Sequence, residues 1–265
     1  MSGQYDVNLR HGVDFDFRLD GKVAVVTGGL GGIAMATNEA FVAKGAKVAI
    51  WHSPKGADKV AAAIKKLGRN NAFAVPCDVA DEQDVEKAVQ ATLDHYGDID
   101  ILVNAAGTVA LTPAEQVPLE EWNQIISVCL TGAFLCAKHV GKYLLGSGHG
   151  GKIINIASQA ATIAIDHHCA YTSAKAGLIG MTKVMAKEWA RKGINVNSVS
   201  PTVVLTPMGA KAWEGPKGEA MKDLIPAGRF AYTDEIAAAV LFLASNGADM
   251  IVGADIMIDG GFTIW

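Results

Sequence analysis

The sequence has few of the features that mark disulfide scaffolds or nucleic-acid-binding proteins. Its four cysteines, Cys77, Cys129, Cys136 and Cys169, show no paired close spacing, which favours free thiols over a disulfide framework or a zinc site. The 23 Lys and Arg residues are outnumbered by 27 Asp and Glu residues. Because no basic excess is available to neutralise a phosphate backbone, we expect no nucleic acid partner.

Long hydrophobic runs are also missing. The longest charge-free runs, Trp122–Ala137 and Ile194–Ala210, fall short of the roughly 18–20 apolar residues that a membrane-spanning helix needs. The segment from Met1 to Leu19 carries five charged side chains and has no apolar core of a signal peptide. These observations predict a cytoplasmic protein with no membrane partner.

Proline is sparse, at 8 of 265 residues, and no Pro-rich linker or internal repeat divides the chain. Hydrophobic residues, in contrast, make up 50% of the sequence, and glycine occurs 29 times. This is enough apolar material for one large core. We therefore predict an N-terminal extension over residues 1–18 and a single domain over residues 19–265.

Short β-branched runs alternate with longer helical patterns. The predicted strands are Lys22–Thr27, Lys47–Trp51, Ala72–Pro76, Ile99–Val103, Lys152–Ala157, Ile194–Val199 and Asp255–Ile258. The predicted helices are Ile33–Lys44, Gly56–Leu67, Asp81–Tyr96, Leu119–Leu145, Tyr171–Arg191 and Thr233–Ala244. Continuously apolar strands are typical of a sheet covered on both faces. The alternation predicts an α/β fold with a doubly wound (Rossmann) parallel sheet of about seven strands and helices on both faces.

Two glycine-rich stretches interrupt this alternation. Gly28–Gly32 joins the first strand to the first helix, where backbone N–H groups can hold a pyrophosphate. The pattern fits either Gly29-x-Gly31-x-x-Ala34 or Gly28-x-x-x-Gly32-x-Ala34, and it predicts that NAD or NADP binds at Gly28, Leu30, Gly32 and Ile33. The second stretch, Leu205–Arg229, predicts an irregular, mobile lid.

The end of the second strand leaves the choice between NAD and NADP open. An acidic residue about 20 residues after the glycines usually binds the ribose 2′-hydroxyl of NAD. Here the strand ends in Trp51-His52-Ser53-Pro54-Lys55, which has neither that carboxylate nor an arginine for a 2′-phosphate. We expect His52 and Ser53 to contact the cofactor, although both also fit an ordinary turn.

Three residues have the chemistry of a proton-transfer site. Tyr171 and Lys175 lie four residues apart in a predicted helix, so their side chains share one face. A tyrosine hydroxyl ordinarily has a pKa near ~10, and a neighbouring ammonium favours its ionised form. Ser158 follows the fifth strand, where ligands gather in parallel sheets. We predict that Ser158 orients a substrate oxygen, that Tyr171 is the general acid and base, and that Lys175 tunes it.

In this order, the motifs resemble those of the short-chain dehydrogenase/reductase family over about Leu19 to Trp265. The matching elements are Thr27–Ala34, Cys77-Asp78-Val79, Asn104-Ala105-Ala106-Gly107, Ser158, Tyr171-Thr172-Ser173-Ala174-Lys175, Ser200-Pro201 followed by Thr206, and Ile258-Asp259-Gly260-Gly261. The resemblance implies an NAD(P)-dependent oxidoreductase acting on CH–OH groups, with a Rossmann fold and a homotetrameric assembly.

The resemblance also implies roles for single residues. Lys175 and Tyr171 would contact the nicotinamide ribose, Asp78 would bind the adenine, and Val79 would pack beside it. Further residues that would line the cofactor are Asn104, Ala105, Gly107, Pro201, Val204 and Thr206, the last two at the carboxamide. Plainer roles also fit, since Asp78 can cap a turn and Asn104 can be purely structural.

Two positions depart from the family pattern. Cys129 stands where the family usually has an asparagine that helps to hold a water in a proton relay. A thiol is a weak hydrogen-bonding group, so we expect activity with an altered relay. Thr202 replaces the usual glycine after Pro201, and we expect it to reshape the approach to the lid.

The substrate expectation comes from the resemblance as well. Val48–Trp51 looks like the second strand of sorbose and xylulose reductases, and Gly260–Trp265 is similar to the ending of galactitol-type and other polyol dehydrogenases. A sugar alcohol or ketose is therefore the favoured substrate, which slightly favours NAD. Its predicted contacts are Ser158, Gln159, His168 and the lid residue Trp213.

Other interpretations stay open at this stage. His167 and His168 fit a solvated pair at a helix entry equally well, and with no second ligand cluster we expect no metal. A 3-oxoacyl or other carbonyl reductase that uses NADPH is the alternative enzyme. A non-catalytic NAD(P)-binding sensor is the alternative from another class; only Cys129 supports it, and the intact Ser158, Tyr171 and Lys175 argue against it.

Overall fold

In the computed structural model, which describes residues 11–264, seven strands form one sheet. The strands are β1 (Val23–Thr27), β2 (Lys47–His52), β3 (Ala72–Pro76), β4 (Ile101–Asn104), β5 (Gly151–Ile156), β6 (Ile194–Pro201) and β7 (Asp255–Ile258). All neighbours pair in parallel in the order β3-β2-β1-β4-β5-β6-β7. The chain reverses direction across the sheet between β1 and β4, which is where such sheets bind ligands.

The helices cover both faces of this sheet. They are α1 (Gly32–Ala43), α2 (Ala57–Leu67), α3 (Glu82–Tyr96), α4 (Leu119–Ile126), α5 (Gly132–Ser147), α6 (Cys169–Trp189), α7 (Pro207–Ala212), α8 (Pro216–Asp223) and α9 (Thr233–Ala244). One core joins the sheet to α1, α2 and α9 around Phe41 and Val240. The other joins it to α3, α5 and α6 around Leu102 and Ile153. The predicted doubly wound α/β fold is thereby confirmed.

The long helix predicted over Leu119–Leu145 is not uniformly α-helical. A π-helical turn, Ser127–Thr131, separates α4 from α5, and Cys129 lies within it. By length and composition, Leu119–Ser147 is also the one helical stretch in the described residues that could cross a membrane. Half of its most apolar window is buried inside the protein, mainly against α3 and α6, and core helices commonly pass this test.

The stretch Leu205–Arg229, predicted to be irregular, contains the helices α7 and α8, so that part of the prediction was wrong. Pro207 and Pro216 each begin a helix, because proline presets the helical φ and lacks an N–H that the first turn leaves unpaired. Thr206 Oγ1 caps α7 by accepting a hydrogen bond from Gly209 N at 3.0 Å. Helices of 6 and 8 residues are too short to show a hydrophobic period in the sequence.

The described part of the predicted N-terminal extension packs against the domain. The Phe17 ring meets the Phe242 ring of α9 edge to face, with centroids 5.5 Å apart. His11 Nε2 lies 2.7 Å from Asp249 Oδ2, and Lys44 Nζ lies 2.6 Å from Asp16 Oδ1. Residues 1–10 of that extension, and Trp265 of the predicted C-terminal segment, lie outside the described residues.

A row of polar side chains crosses the sheet from β1 to β7. Thr27, Asn104, Asn155, Ser198 and Asp255 are successive register partners from β1 to β7. The first four are at most 3% exposed. A buried polar group without a partner is costly, and each side chain of this row makes at least one hydrogen bond. Asn104 Oδ1 is the exception among its atoms, with no partner among the described residues.

The start of α9 holds a carboxylate whose ionisation stabilises the fold. Two hydrogen bonds from Arg229, at 2.6 and 2.7 Å, and one from Tyr232 N at 2.8 Å lower the pKa of Glu235 to about 2. Because this pKa lies below the ordinary value, the stabilisation is fully present above about pH 5 and is lost as the pH falls toward 2.

We predict that Glu235→Gln lowers the urea midpoint at pH 7 and that its difference from the wild type closes between pH 5 and pH 2. Urea unfolding at a series of pH values measures this. The exposed Glu214→Gln variant is the control and should follow the wild type. A constant gap for Glu235→Gln at every pH would contradict the assignment.

Candidate active site

The glycine turn between β1 and α1 leaves no room for a side chain at Gly28 or Gly32. Gly28 has φ +61°, and a Cβ there would lie 2.8 Å from Ala106 Cα; a Cβ at Gly32 would lie 2.6 Å from Thr206 Cγ2. The N-terminus of α1 has no side-chain cap and no acidic residue in its first turn. Its backbone N–H groups are therefore suited to an anionic group such as a pyrophosphate.

The segment after β4, Ala105–Gly107, lies directly against this turn and is called the β4 strap below. Thr27 Oγ1 accepts hydrogen bonds from the N–H groups of Ala105 and Ala106, both at 3.1 Å. Asn104 Nδ2 donates to Asn155 Oδ1 at 2.9 Å and to Ala133 O at 3.3 Å. Asn104 therefore has a structural role, whereas Thr27, which the sequence did not single out, holds the strap in place.

Tyr171 and Lys175 lie close together on α6, as predicted. Lys175 Nζ is 5.6 Å from the centroid of the Tyr171 ring and donates to Ile156 O at 2.7 Å. Lys175 is only 4% exposed, and among the described residues no carboxylate forms an ion pair with it. Its positive charge is thus available to stabilise a phenolate or a bound hydroxyl oxygen.

Ser158 stands at the end of β5, the strand whose Ile156 carbonyl receives the Lys175 ammonium. Its Oγ accepts a hydrogen bond from Ala160 N at 3.1 Å, and the side chain is half-buried. Because that oxygen acts as an acceptor, the hydroxyl proton remains free for donation. This is the arrangement that a residue orienting a substrate oxygen requires.

Cys129 approaches the same region from the π-helical turn. Its Sγ accepts from Thr108 N at 3.3 Å and donates to Thr108 O at 3.2 Å. A Cβ at Gly107 would lie 3.8 Å from this sulfur and 3.9 Å from Lys175 Nζ. The Cys129 thiol thus hydrogen-bonds to the backbone of Thr108, close to the Lys175 ammonium. All four cysteines are free, and burial raises the pKa of the Cys77 thiol to about 12.

The predicted substrate contacts differ in their surroundings. The His168 ring meets the Tyr171 ring at 6.1 Å, and neighbouring His167 has a left-handed backbone with φ +65°. Gln159 is 3% exposed, and its Oε1 has no hydrogen-bond partner among the described residues. The Trp213 ring packs on the Phe230 ring, with centroids 6.0 Å apart.

The residues predicted beside the adenosine half already have protein partners. His52 is 6% exposed, with Nδ1 3.0 Å from Ser53 O, and Ser53 caps a short 3₁₀ turn. Asp78 Oδ1 accepts from Ala80 N at 3.0 Å, which is the turn-capping role that its sequence also allowed. Val79 packs against Gly132 of α5, where an added Cβ would lie only 2.7 Å from Val79 Cγ2.

The segment after β6 lies on the opposite side of the glycine turn. Pro201 is the last residue of β6 and pairs with Ile258 of β7, so β6 extends two residues beyond its predicted end at Val199. Val204 forms a bridge to Ala231, and the Thr206 hydroxyl is used in capping α7. The Thr202 hydroxyl is buried without a partner among the described residues.

One group of possible metal ligands occurs in the described residues. Atoms of Glu82, Glu86 and His139 lie within 4.8 Å of one another on α3 and α5. Lys138 Nζ already contacts Glu82 Oε1 at 2.5 Å and supplies the positive charge there.

Curated relatives cover nearly the whole chain. A D-threitol dehydrogenase of Mycolicibacterium smegmatis is 53% identical, over 95% of this chain and 96% of the relative. An NAD-dependent glycerol dehydrogenase of Listeria innocua is 46% identical, over 96% and 98% respectively. A 3-oxoacyl-[acyl-carrier-protein] reductase of Synechocystis is 38% identical, over 93% and 99%.

Solved structures and a family model match as well. The crystal structure of gox2181 aligns with a TM-score of 0.90 at 32% identity, covering 94% of this chain and 98% of that one. The family model described as enoyl-(acyl carrier protein) reductase matches residues 28–263. Given the parallel sheet, the glycine turn and the Ser158, Tyr171 and Lys175 constellation that these matches span, the chain belongs to the short-chain dehydrogenase/reductase family.

Proposed function

We propose that this protein catalyses reversible hydride transfer between NAD(P) and a secondary alcohol of a sugar alcohol, with the corresponding ketose as the product of oxidation. The observation that carries the proposal is the buried, unneutralised Lys175 ammonium beside the Tyr171 ring, with Ser158 at the adjoining strand end. Dehydrogenases of threitol and glycerol at 53% and 46% identity support a polyol as the substrate.

The chain's own residues perform the proton chemistry. Ser158 donates a hydrogen bond to the substrate oxygen and orients it toward Tyr171. In the direction of oxidation, the Tyr171 phenolate takes the hydroxyl proton, and Lys175 stabilises the phenolate before the transfer. In reduction the same tyrosine returns the proton. The bond from Lys175 to Ile156 O keeps the ammonium in place through both directions.

The glycine turn suits an NAD(P) cofactor, because its backbone can come close to a bound pyrophosphate. Gly28 and Gly32 would admit the pyrophosphate, the open N-terminus of α1 would bind its charge, and Lys175 would bind the ribose hydroxyls. When bound, NAD(P) supplies the hydride acceptor. We infer a preference for NAD, because the proposed reaction oxidises a polyol and one relative is an NAD-dependent glycerol dehydrogenase. The end of β2 favours neither cofactor, since it has neither a carboxylate for the 2′-hydroxyl nor an arginine for a 2′-phosphate.

A polyol also suits the polar groups around Tyr171. We infer that Gln159 and His168 bind further substrate hydroxyls, since a closed site that pairs hydroxyl groups rejects analogues lacking them. We infer that Trp213, which packs on Phe230 with ring centroids 6.0 Å apart, covers one face of the sugar. A 3-oxoacyl reductase remains the second candidate, on the 38% identical relative, and the substrate panel below separates the two.

The outer faces of α5 and α6 support assembly with further copies of the chain. A groove of about 550 Å³ lies between them, with Phe134 and Val184 exposed by 42% and 57%. Lys138, Lys142 and Glu188 also line the groove, so a two-fold arrangement can bring opposite charges together. We infer a homotetramer that uses this face. The cytoplasmic location remains a prediction from the sequence.

We predict that Tyr171→Phe lowers kcat for polyol oxidation at least about 10³-fold while NADH still binds, because the proton acceptor is lost and the ring remains. The assay is a panel of C4–C6 polyols, ketoses and an acyl thioester, run with both cofactors. The proposal fails if Tyr171→Phe retains the wild-type rate, or if the wild type prefers the thioester with NADPH.

We predict that Gly28→Ala weakens NADH binding at least about tenfold and destabilises the fold by ~1–3 kcal/mol beyond the cost of its positive φ, because the new methyl meets the Ala106 backbone. Fluorescence titration and urea unfolding measure the two effects. Gly97→Ala is the matched control, since Gly97 has φ +81° with nothing within 4 Å. Unchanged NADH affinity in Gly28→Ala would contradict the nucleotide site.

We predict that Val184→Glu halves the native mass measured by light scattering, because it places a charge in the apolar contact between copies. Phe15→Glu, at an exposed apolar residue outside the groove, should leave the mass unchanged. A wild-type protein that is monomeric at micromolar concentration would refute the assembly.

A further inference from the structure

The catalytic helix α6 is attached to the sheet by two side-chain hydrogen bonds among the described residues. One is the bond from Lys175 Nζ to Ile156 O at 2.7 Å. The other joins Asn155 Nδ2 to Thr182 Oγ1 at 2.8 Å. Thr182 is seven residues beyond Lys175, two helical turns along the same face. Asn155 and Ile156, two consecutive residues of β5, therefore bond to one face of α6 at two positions along the helix axis.

The bond between Asn155 and Thr182 is part of a longer series of buried hydrogen bonds. Asn155 Oδ1 accepts from Asn104 Nδ2 at 2.9 Å, and Asn104 immediately precedes the β4 strap. Thr27 Oγ1 holds the strap through the N–H groups of Ala105 and Ala106. Thr182 and Asn155 are both fully buried. Hydrogen bonds and one peptide link thus connect α6 to the strap beside the glycine turn.

This series of hydrogen bonds can fix the position of α6 along its axis, which its apolar contacts define only loosely. Leu178 and Ala186 pack α6 on the sheet side, but apolar contacts are not directional and tolerate small shifts along a helix axis. A hydrogen bond at 2.8 Å between two buried side chains weakens steeply with distance and angle. The Thr182 bond therefore defines where α6 stands along its axis relative to β5.

We propose that Thr182 is a positioning residue, which through Asn155 and Asn104 sets the placement of Tyr171 and Lys175 relative to the β4 strap. This inference rests on the proposed catalytic roles of Tyr171 and Lys175. Thr182 touches neither substrate nor cofactor in this scheme. Its effect is carried by the axial position of the helix, to which a catalytic step is sensitive at the scale of 1 Å.

The protein contains a closely matched control for this threonine. Thr92 on α3 is equally buried, and its Oγ1 donates to Ala88 O at 2.8 Å, just as Thr182 Oγ1 donates to Leu178 O at 2.8 Å. Each also accepts one bond from a strand side chain, which for Thr92 comes from Trp51 Nε1 at 3.0 Å. Threonine-to-valine changes at the two sites remove the same groups, but only one lies on the catalytic helix.

We expect Thr182→Val to lower kcat about tenfold at saturating cofactor, with KM for the polyol within about twofold, and to move the pH midpoint of kcat. Thr92→Val should lose comparable stability and leave kcat and the pH midpoint unchanged. Thr182→Ser, which keeps the hydroxyl, should restore both values. If Thr182→Val does not fold, Thr182→Ala and Thr92→Ala provide the same comparison.

A readout that needs no turnover separates this inference from the proposed function. Amide hydrogen exchange in the first two turns of α6 should rise at least about threefold in Thr182→Val and not in Thr92→Val. Equal effects of the two variants on kcat and exchange, or no effect of Thr182→Val on either, would overturn the positioning role. A wild type without polyol turnover would refute the proposed function, and the exchange data would still decide the role of Thr182.

Discussion

The hydrogen bonds among buried polar side chains at the carboxyl ends of the strands are the constraint on which the rest of the site depends. Asn104 and Asn155 lie side by side in β4 and β5, where the surrounding strands are apolar on both faces. Leaving an amide there unpaired is costly, and each hydrogen bond that it makes has a fixed direction that apolar packing lacks. Asn155 hydrogen-bonds to α6, the helix that carries Tyr171, and Asn104 leads directly into the β4 strap beside the glycine turn.

A second constraint is backbone proximity at the glycine turn. Gly28 and Gly32 are needed because the strap and Thr206 occupy the space in which side chains would otherwise lie. The turn, the strap and the segment after β6 thereby converge at the point where the sheet order reverses. The buried Lys175 ammonium stands beside this convergence with a single carbonyl partner from β5. Phosphate binding and proton transfer can therefore share one edge of the sheet.

Much of this arrangement was predictable from local sequence patterns. The seven strands and the glycine turn were recognisable because β-branched runs and glycine spacing are properties of short segments. The π-helical turn at Cys129 and the two short helices in Leu205–Arg229 were not, because neither has a hydrophobic period of its own. The roles of Thr27 and Thr182 could not be predicted for another reason. The function of a threonine in an apolar segment depends on the partner that hydrogen-bonds to it, and that partner is distant in sequence.

The sequence by itself determined the fold class and the family, and it singled out the residues that we propose for proton transfer. These follow from periodicity and from motif order, which are carried by neighbours along the chain. Only the tertiary structure decided that Lys175 is buried without a carboxylate partner, that Asp78 already caps a turn, and that Asn155 links α6 to β4. Burial and hydrogen-bond pairing depend on contacts between residues distant in sequence, and only the folded chain brings those residues together.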